Sequence, residues 1–224
     1  MNKSDPYTHH VPPPCDEPVI VCHADEDLLV VEKPAGLLSV PGRYVKDCVI
    51  QRMAAQYPGV TAVHRLDLDT SGLMVFALSK LAVRDLNRQF RERQVNKQYV
   101  ARVFGHVEAD TGVIDLPMRA DWENRPRQVV DREGGKPSVT RFEVDSRAGT
   151  STLLRLVPVT GRSHQLRVHL AAIDHPILGC DLYAHPAAFE LADRLCLHAS
   201  HLSFTHPASG QLMSFDSRCD FPVL

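Results

Sequence analysis

The 224-residue chain has no apolar run of about 18 residues or more, so it offers no membrane-spanning helix. Its opening, MNKSDPYTHHVPPPCDEP, lacks the apolar core of a secretory signal, and the sequence reads as cytoplasmic. Six cysteines stand at positions 15, 22, 48, 180, 196 and 219 with no C-x-x-C pair. That scatter suits reduced thiols and argues against a disulfide framework or a zinc knuckle. Aromatic residues make up only 6% of the chain, with one Trp, which is poor material for a sugar-binding cleft. A glycine-rich phosphate or dinucleotide loop is also missing, as is any internal repeat.

What is present is a 44% apolar content, enough for a sizeable core. The net charge of −2 hides an asymmetry along the chain. Residues 1–30 hold six acids against one Lys, whereas the segment from Lys80 to Arg102 holds seven basic residues against Asp85 and Glu92. A polyanion meets such local charge and not the total. The Pro-rich opening reads as a flexible tail over residues 1–18, and residues 19–224 as one domain.

The spacing predicts two short strands around the acidic turn of VIVCHADEDLLVVEKPAG and a helix over 47–57 that ends at Pro58 and Gly59. LMVFALS reads as a buried strand. KLAVRDLNRQFRER reads as a helix with Val83, Leu86 and Phe90 at core spacing and Arg84, Arg88 and Arg91 on another face. KQYVARVFGHV alternates like a strand, and SVTRFEVD and STLLRLVPV like hairpin partners. A further helix is expected from Thr160 or Ser163, either of which can cap it, through HQLRVHLAAI. No regular β-α-β-α rhythm emerges, which points to an α+β fold on a mixed, mainly antiparallel sheet flanked by helices and loops.

The densest chemistry lies in HRLDLDTSG, residues 64–72. Asp67, Asp69, Ser71 and Gly72 fit the start of a calcium loop, but Leu78 stands where that loop needs a bidentate Glu. Asp67 and Asp69 could also be the paired carboxylates of a glycosidic hydrolase, or the stretch a polar turn with local caps. In GRSHQLRVH, His164 and His169 are five apart and cannot share a helical face as zinc ligands. The spacing of Cys196, His198 and His201 fits no usual zinc site. The sequence therefore predicts no metal.

HRLDLDTSG, KQYVARV, GRSHQLRVHL, HPILGCDLY and LCLHASHLSFTHP, in this order, resemble the RluA family of RNA pseudouridine synthases, over about residues 19–216. KPAGLLSVPG, RQFRERQVNKQYVARV and DWENRPRQ further resemble its short subgroup that acts on both 23S rRNA and tRNA. The S4-type RNA-binding domain of many relatives has no counterpart ahead of the first strand. The resemblance implies a single pseudouridine-synthase domain with a central RNA-binding cleft and no cofactor. It implies isomerisation of uridines in an anticodon stem-loop of tRNA and a hairpin of 23S rRNA. By the same resemblance Asp67 is the nucleophile or base, Arg167 its buried partner, and Tyr99 the ring facing the target uracil. Arg65 fills the place of the extruded base, and His64 belongs to the same motif. Phosphate contacts are expected from Arg84, Arg88 and Arg91 and from Arg125 and Arg127 on a mobile loop. No obligate protein partner is evident, so a monomer is expected. A hydrolase and a non-catalytic RNA-binding module remain the competing classes.

Overall fold

LLVV and the seven residues SGLMVFA are continuous apolar or small runs, the pattern of strands covered on both faces. In the computed structural model, which describes residues 13–219 and 221, these runs lie inside a large sheet. Strands β1 (Ile20–Ala24) and β2 (Leu28–Lys33) form the expected hairpin around the acidic turn. The short helix α1 (Val49–Met53) and strand β3 (Thr61–Ala62) lead into β4 (Ser71–Ala77). Helix α2 (Lys80–Arg91) and strand β5 (Asn96–Phe104) follow, then β6 (Thr111–Asp115), β7 (Met118–Ala120) and β8 (Gln128–Val130). The chain closes with β9 (Val139–Ala148), β10 (Ser151–Pro158), α3 (Gln165–Ala172), α4 (Pro186–Phe189), β11 (Leu197–Thr205) and β12 (Leu212–Asp216).

The sheet runs β1-β2-β4-β11-β5-β10-β9-β6, with β12 added on β11 and β3 on β4. Every pairing in it is antiparallel except β4 with β11. Strands β7 and β8 form a separate hairpin. The architecture is thus α+β, as the element pattern predicts. On one face of the β2–β4 half, Leu28, Val30, Leu73 and Val75 pack on Ala82 and Leu86 of α2. On the other, Leu29, Val31, Met74 and Phe76 pack on Val49 and Met53 of α1 and on Leu66. A third cluster joins β5 and β10 to Leu166 and Leu170 of α3.

Three expectations change. The helix over 47–57 shrinks to α1, because the chain after Met53 turns back on itself, with the amides of Gln56 and Tyr57 both donating to the Met53 carbonyl. Neither Thr160 nor Ser163 caps α3. His164 holds the cap position at φ 55°, and the Thr160 hydroxyl instead accepts from Val139 N–H at 2.9 Å and donates to Gln165 Oε1 at 2.7 Å. Of the expected tail, residues 1–12 lie outside the described residues, but Cys15 and Glu17 are tied to α1. Arg52 donates to the carbonyl oxygens of Cys15 and Glu17, and Cys15 packs against the core cluster on the α1 face.

Gly72 fixes how closely the parallel pair approaches. Its φ is 110°, and a Cβ there would lie 2.3 Å from the Ala199 carbonyl oxygen. Only glycine fits both demands. The chain reversal just before it, with Thr70 N–H donating to the Asp67 carbonyl at 3.3 Å, places Asp67 at the mouth of the only parallel pair of this sheet.

Candidate active site

A cleft of about 1050 Å³ opens where β3, β5, β10 and the start of α3 meet. It is lined by His64, Arg65, Asp67, Tyr99, His164 and Arg167, so five of the expected motif residues share one cavity with His164. Asp67 is half-buried, its side chain 25% exposed. Arg167 Nη1 stands 4.0 Å from Asp67 Oδ2, and His164 Nε2 stands 4.0 Å from Oδ1. Both spacings exceed a hydrogen bond, so the Arg167 guanidinium acts on the carboxylate by charge across a gap.

The loop carrying Asp67 is clamped from both sides. Ser39 Oγ donates to the Leu66 carbonyl at 2.7 Å and accepts from Leu66 N–H at 3.1 Å. The fully buried Lys33 donates its three protons to the carbonyls of Pro34, Leu37 and Leu68 at 2.7–2.8 Å. Burial pulls Lys33 down to about 7, against the charges of Asp69 and Asp67. Three carbonyl acceptors favour the ammonium form, since a neutral amine has only two protons to give. Behind the loop, Arg194 Nη1 donates to Ser71 Oγ at 3.0 Å, Ser71 Oγ is hydrogen-bonded to His198 Nδ1 at 2.8 Å, and His198 Nε2 reaches Ser217 Oγ at 2.8 Å. His201 pairs with Asp216 at 2.7 Å.

Arg167 is 4% exposed, and its guanidinium bonds Asp181 through Nη2 and Cys180 Sγ through Nε at 3.3 Å. Its direct carboxylate partner is therefore Asp181, with Asp67 within reach of the free end. Tyr99 is pushed far above the ordinary phenol range by burial and then by Asp67, so it presents a neutral ring and O–H to the cleft. His64 accepts from Val75 N–H at 3.0 Å and stacks on Phe90 at 4.7 Å. Burial, with Lys97 beside it, drives its pKa down to about 3. It is a neutral prop between β4 and α2. Arg65 is exposed at the rim and donates to Ser163 Oγ across the cleft at 3.3 Å.

The expected phosphate contacts divide. Arg91 lines the cleft together with Arg93, Lys97, Arg141 and Arg162. Arg84 and Arg88 lie outside its lining, and Arg88 is occupied by Asp85, Glu92 and Gln94. Arg125 lies 3.8 Å over the ring of exposed Trp122, and Arg127 5.3 Å over Tyr183, both on the β7–β8 connection beside the cleft. Sequence reasoning missed Lys33, Ser39, Asp181 and Tyr183. The last two stand in HPILGCDLY, but nothing in their spacing reveals that they fold back onto α3.

The family model for RNA pseudouridylate synthases matches residues 27–172. The dual-specificity RNA pseudouridine synthase RluA of Escherichia coli K12 is 51% identical over 212 residues, covering 93% of this chain and 97% of that protein. Its namesake in Vibrio vulnificus is 52% identical over 216 residues, covering 93% and 86%. Among solved structures, human RNA pseudouridylate synthase domain containing 1 superposes with a TM-score of 0.81 at 28% identity, covering 95% of this chain and 88% of that one. The human domain-containing 4 protein does so at 0.72 and 28% identity, covering 91% and 88%.

Proposed function

The chain belongs to the RluA family of RNA pseudouridine synthases, and from that membership we propose which of its residues act on the uridine. The enzyme is an isomerase. The N1–C1′ bond of uridine breaks, a C5–C1′ bond forms, C5 gives up a proton and N1 gains one. All atoms are conserved, so no redox equivalent or phosphate donor is consumed. Asp67 serves the anomeric carbon as nucleophile or base. The observation that carries this is its position: a half-buried carboxylate in the cleft, 4.0 Å from both Arg167 and His164. Tyr99 faces the uracil as a neutral ring. Arg65, exposed at the rim, takes the place of the extruded base, whose unstacking costs a few kcal/mol.

The substrates are an anticodon stem-loop of tRNA and a hairpin of 23S rRNA. Supporting this is about half identity, over nearly the whole length, to proteins named for dual specificity. Arg91, Arg93, Lys97, Arg141 and Arg162 hold the phosphates. The same reading takes the enzyme as a monomer working in the cytoplasm. The test is nucleotide-resolved mapping of pseudouridine in RNA from cells with and without the gene, beside mass analysis of RNA treated in vitro. An unchanged RNA mass with new pseudouridine in both RNA classes is expected. Free uracil would instead show a hydrolase.

A further inference from the structure

Tyr183 lies after α3, outside the set of residues that touch the uridine in the reading above, yet its hydroxyl is tied to the catalytic carboxylate through one side chain. The oxygen accepts from the Gln128 backbone N–H at 2.9 Å and meets His164 Nδ1 at 2.6 Å. A backbone amide can only donate, so the arrangement leaves two choices for the imidazole. If Nδ1 carried the proton, the Tyr183 oxygen would accept twice and its own hydrogen would be left without this partner. Nε2 would then aim a lone pair at Asp67 Oδ1, 4.0 Å away. If Tyr183 donates to Nδ1, its hydrogen is matched and Nε2 turns an N–H, not a lone pair, toward the carboxylate.

We propose that Tyr183 is a positioning residue that holds His164 as the neutral, Nε2-protonated imidazole facing Asp67. The inference rests on the pseudouridine synthase reading and adds to it the state of the residue beside the nucleophile. Its consequence is chemical. A neutral N–H turned toward Asp67 leaves the carboxylate's charge available to the anomeric carbon, whereas an imidazolium would form an ion pair with it and quench it. The surroundings act in the same sense. Burial holds His164 below the ordinary imidazole range; Asp67 and Asp181 oppose this, while Arg167 and Arg65 reinforce it. Tyr183 itself is pushed up to about 12, chiefly by burial, and so keeps the hydrogen it donates. His164 also sits at φ 55° on the cap of α3, and its ring lines the cleft facing Asp67.

Gln128 begins β8, so the chain of hydrogen bonds runs from the β7–β8 hairpin through Tyr183 and His164 to the carboxylate. Arg127 and Arg167 each lie 5.3 Å over the Tyr183 ring. Tyr183→Phe keeps that ring and its stacking and removes only the donated hydrogen.

The test has two arms. In the first, nitrogen NMR of the full-length protein with labelled histidine, assigned by the signal lost in His164→Gln, reads the imidazole without RNA or turnover. A bare Nδ1 and a protonated Nε2 near neutral pH are expected; an imidazolium or the opposite tautomer would overturn the proposal. In the second, single-turnover pseudouridine formation is followed against pH. Without the hydroxyl to donate to Nδ1, His164 takes up a proton more readily, so the ratio of wild-type to Tyr183→Phe rates should grow severalfold as the pH falls from about 8.5 to 5.5. The same replacement made on His164→Gln should give a ratio that does not change with pH. A constant ratio in the native background, or a pH-dependent one in the glutamine background, would sink the idea. Absence of pseudouridine from the wild-type reaction would refute the underlying reading, and the NMR arm would still decide the state of His164.

Discussion

At the residue scale, Asp67 differs from Asp69 by what surrounds it. Asp67 faces Arg167 and His164 in the cleft, whereas Asp69 acts from behind the loop through its charge on Lys33. Asp67→Asn keeps the volume and removes the proposed nucleophile or base, so single-turnover pseudouridine formation should fall by more than about 10³-fold with RNA affinity within about threefold of wild type. Asp69→Asn should keep most of the rate, and an equal loss at both positions would restore the paired-carboxylate reading. Lys33 bears on the same loop from inside. Lys33→Met leaves three carbonyls, those of Pro34 and Leu37 buried and that of Leu68 half-buried, without their donor, for a destabilisation of about 3 kcal/mol. That corresponds to a fall of about 6–12 °C in Tm for a chain of this size, together with a rate loss as the Leu68 carbonyl is released. Thermal unfolding followed by turnover below the new Tm checks both. An unchanged rate would mean that Ser39 alone is enough to set the loop.

At the element scale, the close approach of β4 to β11 is what brings the Asp67 loop against the back of the cleft. Gly72→Ala would drive a methyl group to 2.3 Å from the Ala199 oxygen and impose a side chain at φ 110°. A loss of about 4 kcal/mol or more is expected, read as a sharp fall in Tm or in soluble yield. A variant as stable as wild type would show that the two strands can separate without cost. Elements with strong periodicity were legible beforehand: α2, β5 and the β9–β10 pair fall where their apolar spacing places them. Strand β11 was hidden because LHASHLSFT carries buried histidine and serine, and its meaning comes from partners far away in the chain, Ser71 and Tyr99 among them. The cap of α3 was misread for a related reason. Thr160 and Ser163 have the right chemistry for a cap, but Thr160 is drawn into bonds with Val139 and Gln165, which only the folded chain brings together. The motif residues Asp67, Tyr99 and Arg167 were visible as motif, while the distances that make them a site were not.

At the scale of the whole molecule, a net charge of −2 is a poor guide to how RNA is met, because the cations are sorted by place. Arg91, Arg93, Lys97, Arg141 and Arg162 line one cleft, contributed by α2 and its end, β5, β9 and the approach to α3. Arg88, on the same helix as Arg91, is instead neutralised locally by Asp85 and Glu92. A cation already paired with a carboxylate releases no counterion from RNA when RNA arrives, whereas one meeting a phosphate does. The slope of log affinity against log salt therefore separates the two groups. Arg141→Gln and Arg162→Gln should each lower the steepness of that slope by about one unit or somewhat less, with the same change for every RNA sequence bound. Arg84→Gln and Arg88→Gln should leave the slope within error of wild type. Filter-binding titrations of one hairpin across a range of monovalent salt give all four values. If Arg84 and Arg88 changed the slope while Arg141 and Arg162 did not, the RNA backbone would lie along the outer face of α2, and the cleft would admit little more than the flipped uridine.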